Sequence, residues 1–212
     1  MKDEEISKLL GRGSFERRFK FVPKGYKNSL ILSKKQFEAT FQVEFSPYQR
    51  FKNLDVLTEV ISNCPWILRT FAGNENRALA EKYKTELGEA DVADVIIKWV
   101  NPNMGYGLFA GKDFVAGEWI GEYTGDVHRL YRWKGEGNPY CFHYPTRWWS
   151  LKYFVIDSLS IGNEMRFINH SLEPNLEPIC LLDRNLLHMA FLTKRPIEKG
   201  EQLFFNYHQK GG

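Results

Sequence analysis

The sequence predicts an α+β protein, mainly β, in which several short strands follow a mixed helix and strand region. After about residue 91, short β-rich runs alternate with Gly, Pro and Asn, at 94–100, 118–123, 153–156, 187–192 and 202–205. Runs this short and closely spaced favour several small sheets over a doubly wound α/β domain. Before residue 90, apolar residues recur at helical spacing in two segments. We therefore divide the chain into an N-terminal extension, residues 1–90, and a β-rich domain, residues 91–212.

The N-terminal extension carries one predicted strand and two predicted helices. Apolar residues alternate with mostly polar ones between Phe37 and Phe45, which predicts a half-buried strand. Apolar residues at helical spacing between Leu54 and Ile61 predict a helix that ends near Cys64. A second helix is predicted at about 76–87, with Leu79, Tyr83 and Leu87 on one face and Gly88 as its C-cap.

The composition is that of a folded, soluble chain. Of 212 residues, 43% are hydrophobic and 26% are charged, which excludes collagen-like and wholly disordered classes. No apolar run approaches the roughly 20 residues of a membrane span, and the N-terminus lacks the apolar core of a signal peptide. None of the three cysteines, Cys64, Cys141 and Cys180, lies in a C-x-x-C pair, so the sequence predicts neither a disulfide framework nor a cysteine-rich zinc site.

A locally basic cluster near the N-terminus raises the question of nucleic-acid binding. It consists of Arg12, Arg17, Arg18 and Lys20, within a chain of formal net charge +3. The run is shorter and more interrupted than the basic patches of nucleic-acid-binding proteins, so a solvated surface is the preferred interpretation. Direct nucleic-acid binding is the disfavoured one.

Four polar or glycine-rich segments are of interest, although only 162–175 is by itself hard to explain as packing; the other three, taken singly, are typical of a turn, a strand end and a core or rim strand. The four are 103–110 (NMGYGLFA), 121–125 (GEYTG), 162–175 (GNEMRFINHSLEPN) and 199–208 (KGEQLFFNYH). Gly105 and Gly107 allow the backbone around Tyr106 to approach a ligand closely. Asn169 and His170 can hydrogen-bond buried backbone groups or the edge of a heterocyclic ligand.

In this order and spacing, the four segments resemble a SET domain, the fold of the protein lysine methyltransferases. The resemblance covers about residues 91–210 and is most specific at 166–175 and 200–207. It implies several short curved sheets and a C-terminal segment threaded through a loop as a pseudoknot. It also implies S-adenosylmethionine as the methyl donor and S-adenosylhomocysteine as the product.

The resemblance also assigns roles to residues. The backbone of Gly105, Tyr106 and Gly107 would hold the methionine end of the cofactor. The rest of the expected cofactor site consists of Tyr140, Arg166, Asn169, His170 and Tyr207. Tyr207 matches the catalytic tyrosine, Tyr123 matches a tyrosine of the lysine channel with a supporting catalytic role, and Phe205 completes the channel. Phe205 lacks a hydroxyl that could hold a crowding water, which predicts di- or trimethylation.

The sequence departs from many family members at the zinc site. Leu172 stands where they have a zinc-binding cysteine, and we expect no metal, as in compact zinc-free bacterial and viral members. Cys141 and His143 would point the same way from a strand, but no further ligands are evident. One wall of the lysine channel is then left to residues 1–90, to residues 209–212 or to a second copy of the chain in a homodimer.

The leading hypothesis is a protein-lysine methyltransferase that acts on a lysine-rich segment of a histone or a histone-like protein. The alternative is a non-catalytic SET-like module that binds basic protein tails; the presence of Tyr207, Asn169 and His170 argues against it. We expect a cytoplasmic protein or, if it is a bacterial effector, one exported to a host nucleus.

Overall fold

The computed structural model describes residues 3–11, 15–64, 73–131, 138–144 and 152–207. Arg12 of the basic cluster and residues 209–212, one proposed source of the channel wall, lie outside the described residues.

The extension contains short helices and strands in alternation. The helices are α1 (Asp3–Leu9), α2 (Lys34–Phe41), α3 (Leu54–Ser62), α4 (Gly73–Lys82) and α5 (Lys84–Glu89). The strands are β1 (Arg18–Val22), β2 (Leu30–Ser33), β3 (Glu44–Phe45) and β4 (Arg50–Phe51).

The remainder is built of strands and one short 3₁₀ helix. The strands are β5 (Val95–Asn101), β6 (Gly105–Ala110), β7 (Trp119–Tyr123), β8 (Asp126–Tyr131), β9 (Cys141–Tyr144), β10 (Lys152–Asp157), β11 (Ile161–Gly162), β12 (Asn169–His170), β13 (Leu176–Asp183), β14 (Leu186–Thr193) and β15 (Phe204–Phe205). The 3₁₀ helix is Glu164–Phe167. The sheets have the orders β2-β1-β5-β6, β4-β8-β10-β9 and β13-β14-β7, with the two-stranded pairs β11-β3 and β12-β15. The mainly β prediction, with several small sheets, is confirmed.

The predicted strand between Phe37 and Phe45 is wrong. Residues 34–41 form α2, and only Glu44–Phe45 pair as a strand. The side chain of Ser33 accepts a hydrogen bond from the Gln36 N–H, and Gln36 Oε1 accepts one from the Ser33 N–H, forming a capping box. Phe37 and Phe41 then stand one helical turn apart, so the alternating pattern coincided with an i, i+4 pair.

The two helix predictions are confirmed in position and differ in detail. α3 spans Leu54–Ser62 with Asn53 as its N-cap. The second predicted helix is divided at Tyr83 into α4 and α5. The C-cap of α5 is Ala90, with φ 52°, rather than the predicted Gly88. Tyr83 packs against Trp119 at 5.1 Å between ring centroids, which fixes these helices onto the β13-β14-β7 sheet.

The extension and the β-rich domain share sheets and a hydrophobic core. β1 pairs in parallel with β5, β3 with β11 and β4 with β8. Phe19, Phe37 and Phe45 belong to the same buried cluster as Leu108 and Phe205. Phe37 is fully buried, so this segment contributes to the core.

The C-terminal segment lies enclosed between two earlier parts of the chain. On one side, Leu203 N–H donates to the Leu108 carbonyl at 2.8 Å, and Ala110 N–H donates to the Glu201 carbonyl at 2.9 Å. On the other side, β15 pairs in parallel with β12. The last described strand is thereby held beside Asn169 and His170, which belong to the polar segment 162–175.

Within the described residues, the longest helices are too short or too polar to cross a lipid bilayer.

Candidate active site

The first arm of the candidate site is the start of β6, Gly105-Tyr106-Gly107. Gly105 has φ +70°, a conformation that favours glycine. A Cβ on Gly107 would lie 2.5 Å from Gln202 Nε2 and 3.0 Å from Asn169 Nδ2. Glycine at position 107 is therefore what lets Asn169 approach this backbone.

Tyr106 contributes its backbone to the site and its ring to the core. Its carbonyl accepts a hydrogen bond from Asn169 Nδ2 at 3.3 Å. Its ring lies 5.5 Å from the ring of Phe21 and 5.2 Å from that of Trp99. Cofactor binding by this backbone stays a prediction.

The second arm is the 3₁₀ helix and β12, which follows it directly. Asn163 caps the helix by accepting a hydrogen bond from Met165 N–H at 3.2 Å. β12 then presents Asn169 opposite Phe204 and His170 opposite Phe205. His170 Nδ1 accepts the backbone N–H of Tyr207 at 3.1 Å, which fixes the start of the segment after β15.

Arg166 supports the site from behind Tyr140. Its Nε donates to the Ser158 carbonyl at 2.9 Å, and its guanidinium lies 4.4 Å from the centre of the Tyr140 ring. Burial lowers the pKa of Arg166 from its ordinary value. In the structure its donors hold backbone and its plane covers Tyr140, so it positions that tyrosine.

Aromatic side chains gather into a cluster beside the two arms. Phe142 stacks on Phe205 at 5.2 Å and meets Tyr123 at 4.7 Å. Phe205 in turn lies 5.0 Å from Phe191 and 4.6 Å from Tyr207. Phe142, Phe205 and Phe191 thus form one aromatic cluster with Tyr123 and Tyr207, in which Tyr123, Phe191 and Phe205 are buried.

The two tyrosine hydroxyls are oriented by backbone carbonyls. Tyr123 Oη donates to the Tyr140 carbonyl at 2.7 Å, and Tyr207 Oη donates to the Ile168 carbonyl at 2.9 Å. Burial raises the pKa of Tyr123 far above its ordinary value. Burial, with a smaller contribution from Tyr140, raises the pKa of Tyr207 to about 12. Both phenols are therefore neutral near pH 7 and present a hydroxyl rather than a phenolate.

The residues predicted from the sequence thus lie in one connected group. Hydrogen bonds join Tyr106 to Asn169, His170 to Tyr207 and Tyr123 to Tyr140. Ring contacts then connect Tyr123 to Tyr207, through Phe142 and Phe205. Gly105 and Gly107 flank Tyr106, and Arg166 covers Tyr140.

Two residues of the group received no role from the sequence. Phe142 lies two residues after Tyr140, and its sequence neighbours gave no indication that it is more than a core residue. Asn175, 1% exposed, donates to Glu201 Oε1 at 2.9 Å and to the Gln202 carbonyl at 2.8 Å, and accepts from Phe204 N–H at 2.8 Å. The signal for Asn175 was its place in the polar run 162–175, but its partners lie more than twenty positions further along the chain.

The described part of the chain holds no group of three or more His, Cys, Asp or Glu side chains arranged to bind a metal ion.

Residues 105–208 match the family model described as "SET domain". Over 124 residues the chain is 33% identical to histone-lysine N-methyltransferase Su(var)3-9 of Drosophila melanogaster. This alignment covers 53% of this chain and 19% of that protein. Over 113 residues it is 33% identical to histone-lysine N-methyltransferase EHMT1 of Homo sapiens, covering 51% of this chain and 9% of that one. The chain therefore spans a fifth or less of the length of these relatives.

The solved structures that resemble this protein also contain much longer chains, of which only a part is matched. One is KRYPTONITE in complex with mCHH DNA, an H3(1-15) peptide and SAH, at 29% identity and a TM-score of 0.46, covering 55% of this chain and 23% of that one. Another is ctPRC2 in an autoinhibited conformation bound to S-adenosylmethionine, at 23% identity and a TM-score of 0.49, covering 66% and 19%.

Proposed function

Since residues 105–208 form a SET domain, we propose that this protein is a protein-lysine N-methyltransferase that uses S-adenosylmethionine. The observation that carries the proposal is the meeting of two features at Tyr207. The backbone N–H of this residue is held by His170 of the polar arm, and its ring closes the aromatic cluster against Phe205. A site for a polar donor and a channel for an alkyl amine would thus share one residue.

The two arms suit the donor in their chemistry. The Tyr106 carbonyl and the Asn169 amide offer both acceptor and donor groups, and Gly105 and Gly107 leave the backbone accessible. Bound there, S-adenosylmethionine would supply a methyl group on a positively charged sulfur. Asn169 and His170 would orient it, and Tyr140 would line the same side.

The aromatic cluster suits the amine. A lysine of ordinary pKa, about 10.4, is protonated at neutral pH, whereas methyl transfer needs a neutral nitrogen. Apolar walls formed by Tyr123, Phe142 and Phe205 disfavour the charged ammonium, as does a nearby sulfonium. Methyl transfer is an in-line displacement, so alignment of nitrogen, methyl carbon and sulfur at about 3–3.5 Å supplies much of the rate.

Tyr207 then acts by position rather than as a base. With a pKa of about 12 its phenol does not accept the lysine proton at pH 7. Its hydroxyl, directed at the Ile168 carbonyl at 2.9 Å, would hold the nitrogen and the methyl group in line. The hydroxyl of Tyr123, bound to the Tyr140 carbonyl, would do the same from the opposite wall. The amine proton leaves to water before transfer.

We place the substrate among lysine-rich segments of histones or histone-like proteins. The support is that the relatives named above are histone-lysine methyltransferases and that KRYPTONITE was solved with a histone H3 peptide. The proposal includes di- or trimethylation, because the buried Phe205 ring carries no hydroxyl toward the channel.

The outer wall of the channel belongs to the proposal as well. Tyr207 is 44% exposed, and Leu172 near the same rim is 79% exposed. Of the three sources named above, we propose a second copy of the chain. Light scattering that gave a monomer mass in an active sample would contradict this part.

The central experiment measures transfer of radiolabelled methyl from S-adenosylmethionine to a panel of core histones. Tyr207→Phe removes only the hydroxyl, and we expect a loss of about 10²-fold or more in rate. Tyr48→Phe is the matched control, because the Tyr48 hydroxyl also donates to a backbone carbonyl, that of Gly88 at 2.9 Å, away from the site. We expect this control to keep the wild-type rate within about twofold.

Two outcomes would contradict the proposal. Equal rates for Tyr207→Phe and Tyr48→Phe would remove the assigned role of Tyr207. Binding of S-adenosylhomocysteine and of histone tails without transfer to any of the proteins would favour the non-catalytic binding module.

A further inference from the structure

We infer that Phe41, in the N-terminal extension, is a positioning residue that sets the spacing between the two arms of the cofactor site. The inference rests on the proposed function for the identity of the cofactor. It assigns to the extension a part in cofactor affinity, beyond the completion of the hydrophobic core.

Phe41 is held firmly on its own element. It is the last residue of α2, a helix whose start is fixed by the capping box of Ser33 and Gln36. The next residue, Gln42, adopts φ 54° and ends the helix, and its side chain donates to the Ala39 carbonyl at 2.7 Å. The ring of Phe41 also meets that of Phe37, one turn earlier, at 5.1 Å. With both ends of the helix fixed, the ring has a defined direction.

The Phe41 ring contacts one residue from each arm. It lies 5.3 Å from the ring of Tyr106, nearly perpendicular to it, and 4.7 Å from the ring of Phe167. The rings of Tyr106 and Phe167 are themselves 6.5 Å apart. Phe41 therefore packs against both rings and limits how they move relative to each other.

Both contacted residues lead directly to cofactor-site groups. The backbone carbonyl of Tyr106 accepts the Asn169 side chain. Phe167 ends the 3₁₀ helix two residues before Asn169 and one residue before Ile168, whose carbonyl binds the Tyr207 hydroxyl. A shift of either ring is thus passed to the Asn169 amide through one or two backbone units.

The Asn169 hydrogen bond has little margin for such a shift. The distance between Asn169 Nδ2 and the Tyr106 oxygen is 3.3 Å, which is already longer than the usual 2.7–3.2 Å of N–H···O hydrogen bonds. A further increase would weaken this bond steeply. Phe41 is partly buried against the core, and removal of part of its ring leaves a gap into which neighbouring side chains relax. A displacement of a few tenths of an ångström would break the bond and release Asn169.

The test measures binding of S-adenosylhomocysteine to the full chain by titration calorimetry. For Phe41→Leu we expect binding about tenfold weaker, since releasing Asn169 costs about one hydrogen bond, which corresponds to a factor of about ten in affinity. Phe41→Met has about the volume of Phe41→Leu, but its longer, unbranched side chain reaches further toward Tyr106 and Phe167. We therefore expect a smaller loss, and it serves as the second variant if Phe41→Leu folds poorly.

Phe15→Leu is the matched control. Phe15 is a half-buried phenylalanine of the same extension, and its ring packs against Tyr48 at 5.5 Å rather than against either arm. We expect Phe15→Leu to lower the melting temperature as Phe41→Leu does, while S-adenosylhomocysteine binding stays within about twofold of wild type.

The outcomes separate this inference from the proposed function. If the wild type binds S-adenosylhomocysteine and Phe41→Leu binds it equally well, Phe41 only fills the core and the inference is wrong. Equal weakening by Phe15→Leu would also overturn it, because the effect would then follow stability. Failure of the wild type to bind would overturn the proposed function itself, and this inference with it.

Discussion

Replacement of Asn175 by alanine is expected to release the C-terminal segment that carries Phe205 and Tyr207. The Asn175 side chain makes three hydrogen bonds to that segment, with Glu201, Gln202 and Phe204. Two of the partners are backbone groups, the Gln202 carbonyl and the Phe204 N–H. Since Asn175 is 1% exposed, water has no ready access to replace the lost amide.

The expected magnitude follows from these partners. A buried polar group left without a hydrogen bond costs about 1–3 kcal/mol, so two of them lower the free energy of unfolding by about 2–6 kcal/mol. Asn175→Asp keeps an acceptor for the Phe204 N–H but loses both donors. It also places a carboxylate beside that of Glu201, so we expect a loss at least as large at pH 7.

The assay is urea unfolding followed by fluorescence, with Asn63→Ala as the control. Asn63 donates one local side-chain hydrogen bond, to the Glu59 carbonyl at 2.8 Å at the end of α3. We expect this control to lose about 1 kcal/mol. If Asn175→Ala lost no more stability than Asn63→Ala, the argument that Asn175 secures the C-terminal segment would be refuted.

Three further predictions concern the site and its surroundings. Gly107→Ala should weaken S-adenosylhomocysteine binding, because the new Cβ would lie 2.5 Å from Gln202 Nε2 and 3.0 Å from Asn169 Nδ2, so both amides must move. The loss of stability should stay small, because φ at Gly107 lies outside the left-handed region and the closest atom is the end of a flexible side chain; calorimetry beside thermal unfolding checks this, and unchanged affinity would contradict it. Burial acts to lower the pKa of His188, but the Glu122 carboxylate 2.7 Å away raises it overall, so the pair stabilises the fold below about pH 6.5 and this contribution is lost as the pH rises through the raised pKa. The stability difference between wild type and His188→Gln should therefore shrink as the pH rises above about 6.5, and a constant difference would refute the ion pair. Phe205→Tyr should shift the products toward monomethyl-lysine in mass spectra of exhausted reactions, and an unchanged product ratio would refute the role of the missing hydroxyl.

The sequence alone determined the fold class and the motif segments of the site. The short runs after residue 91 form strands as predicted, and residues 105–208 match the SET family model. These features are readable because their signals are local. The glycines that allow a close backbone approach, and the polar side chains from Arg166 to Asn175, can be recognised from residues only a few positions apart.

Local patterns failed where two structures share the same spacing. Phe37, Phe41 and Phe45 satisfy both a period of two and an i, i+4 helical pattern, and the strand was chosen. The Ser33 and Gln36 capping box, three residues apart, was the signal that distinguishes the two. Helix ends were the next weakest point, since α5 ends at Ala90 in a left-handed conformation that is more usual for glycine.

Only the tertiary structure decided how distant segments meet. Neither the parallel pairing of β1 with β5 nor the packing of Phe41 between Tyr106 and Phe167 leaves a mark on the sequence near those residues. The same holds for Phe142 against Phe205 and for the hydrogen bonds of Asn175. Hydrophobic burial is non-directional, so composition predicts that a core of aromatic rings forms, whereas the partners of each ring depend on how the whole chain closes around that core.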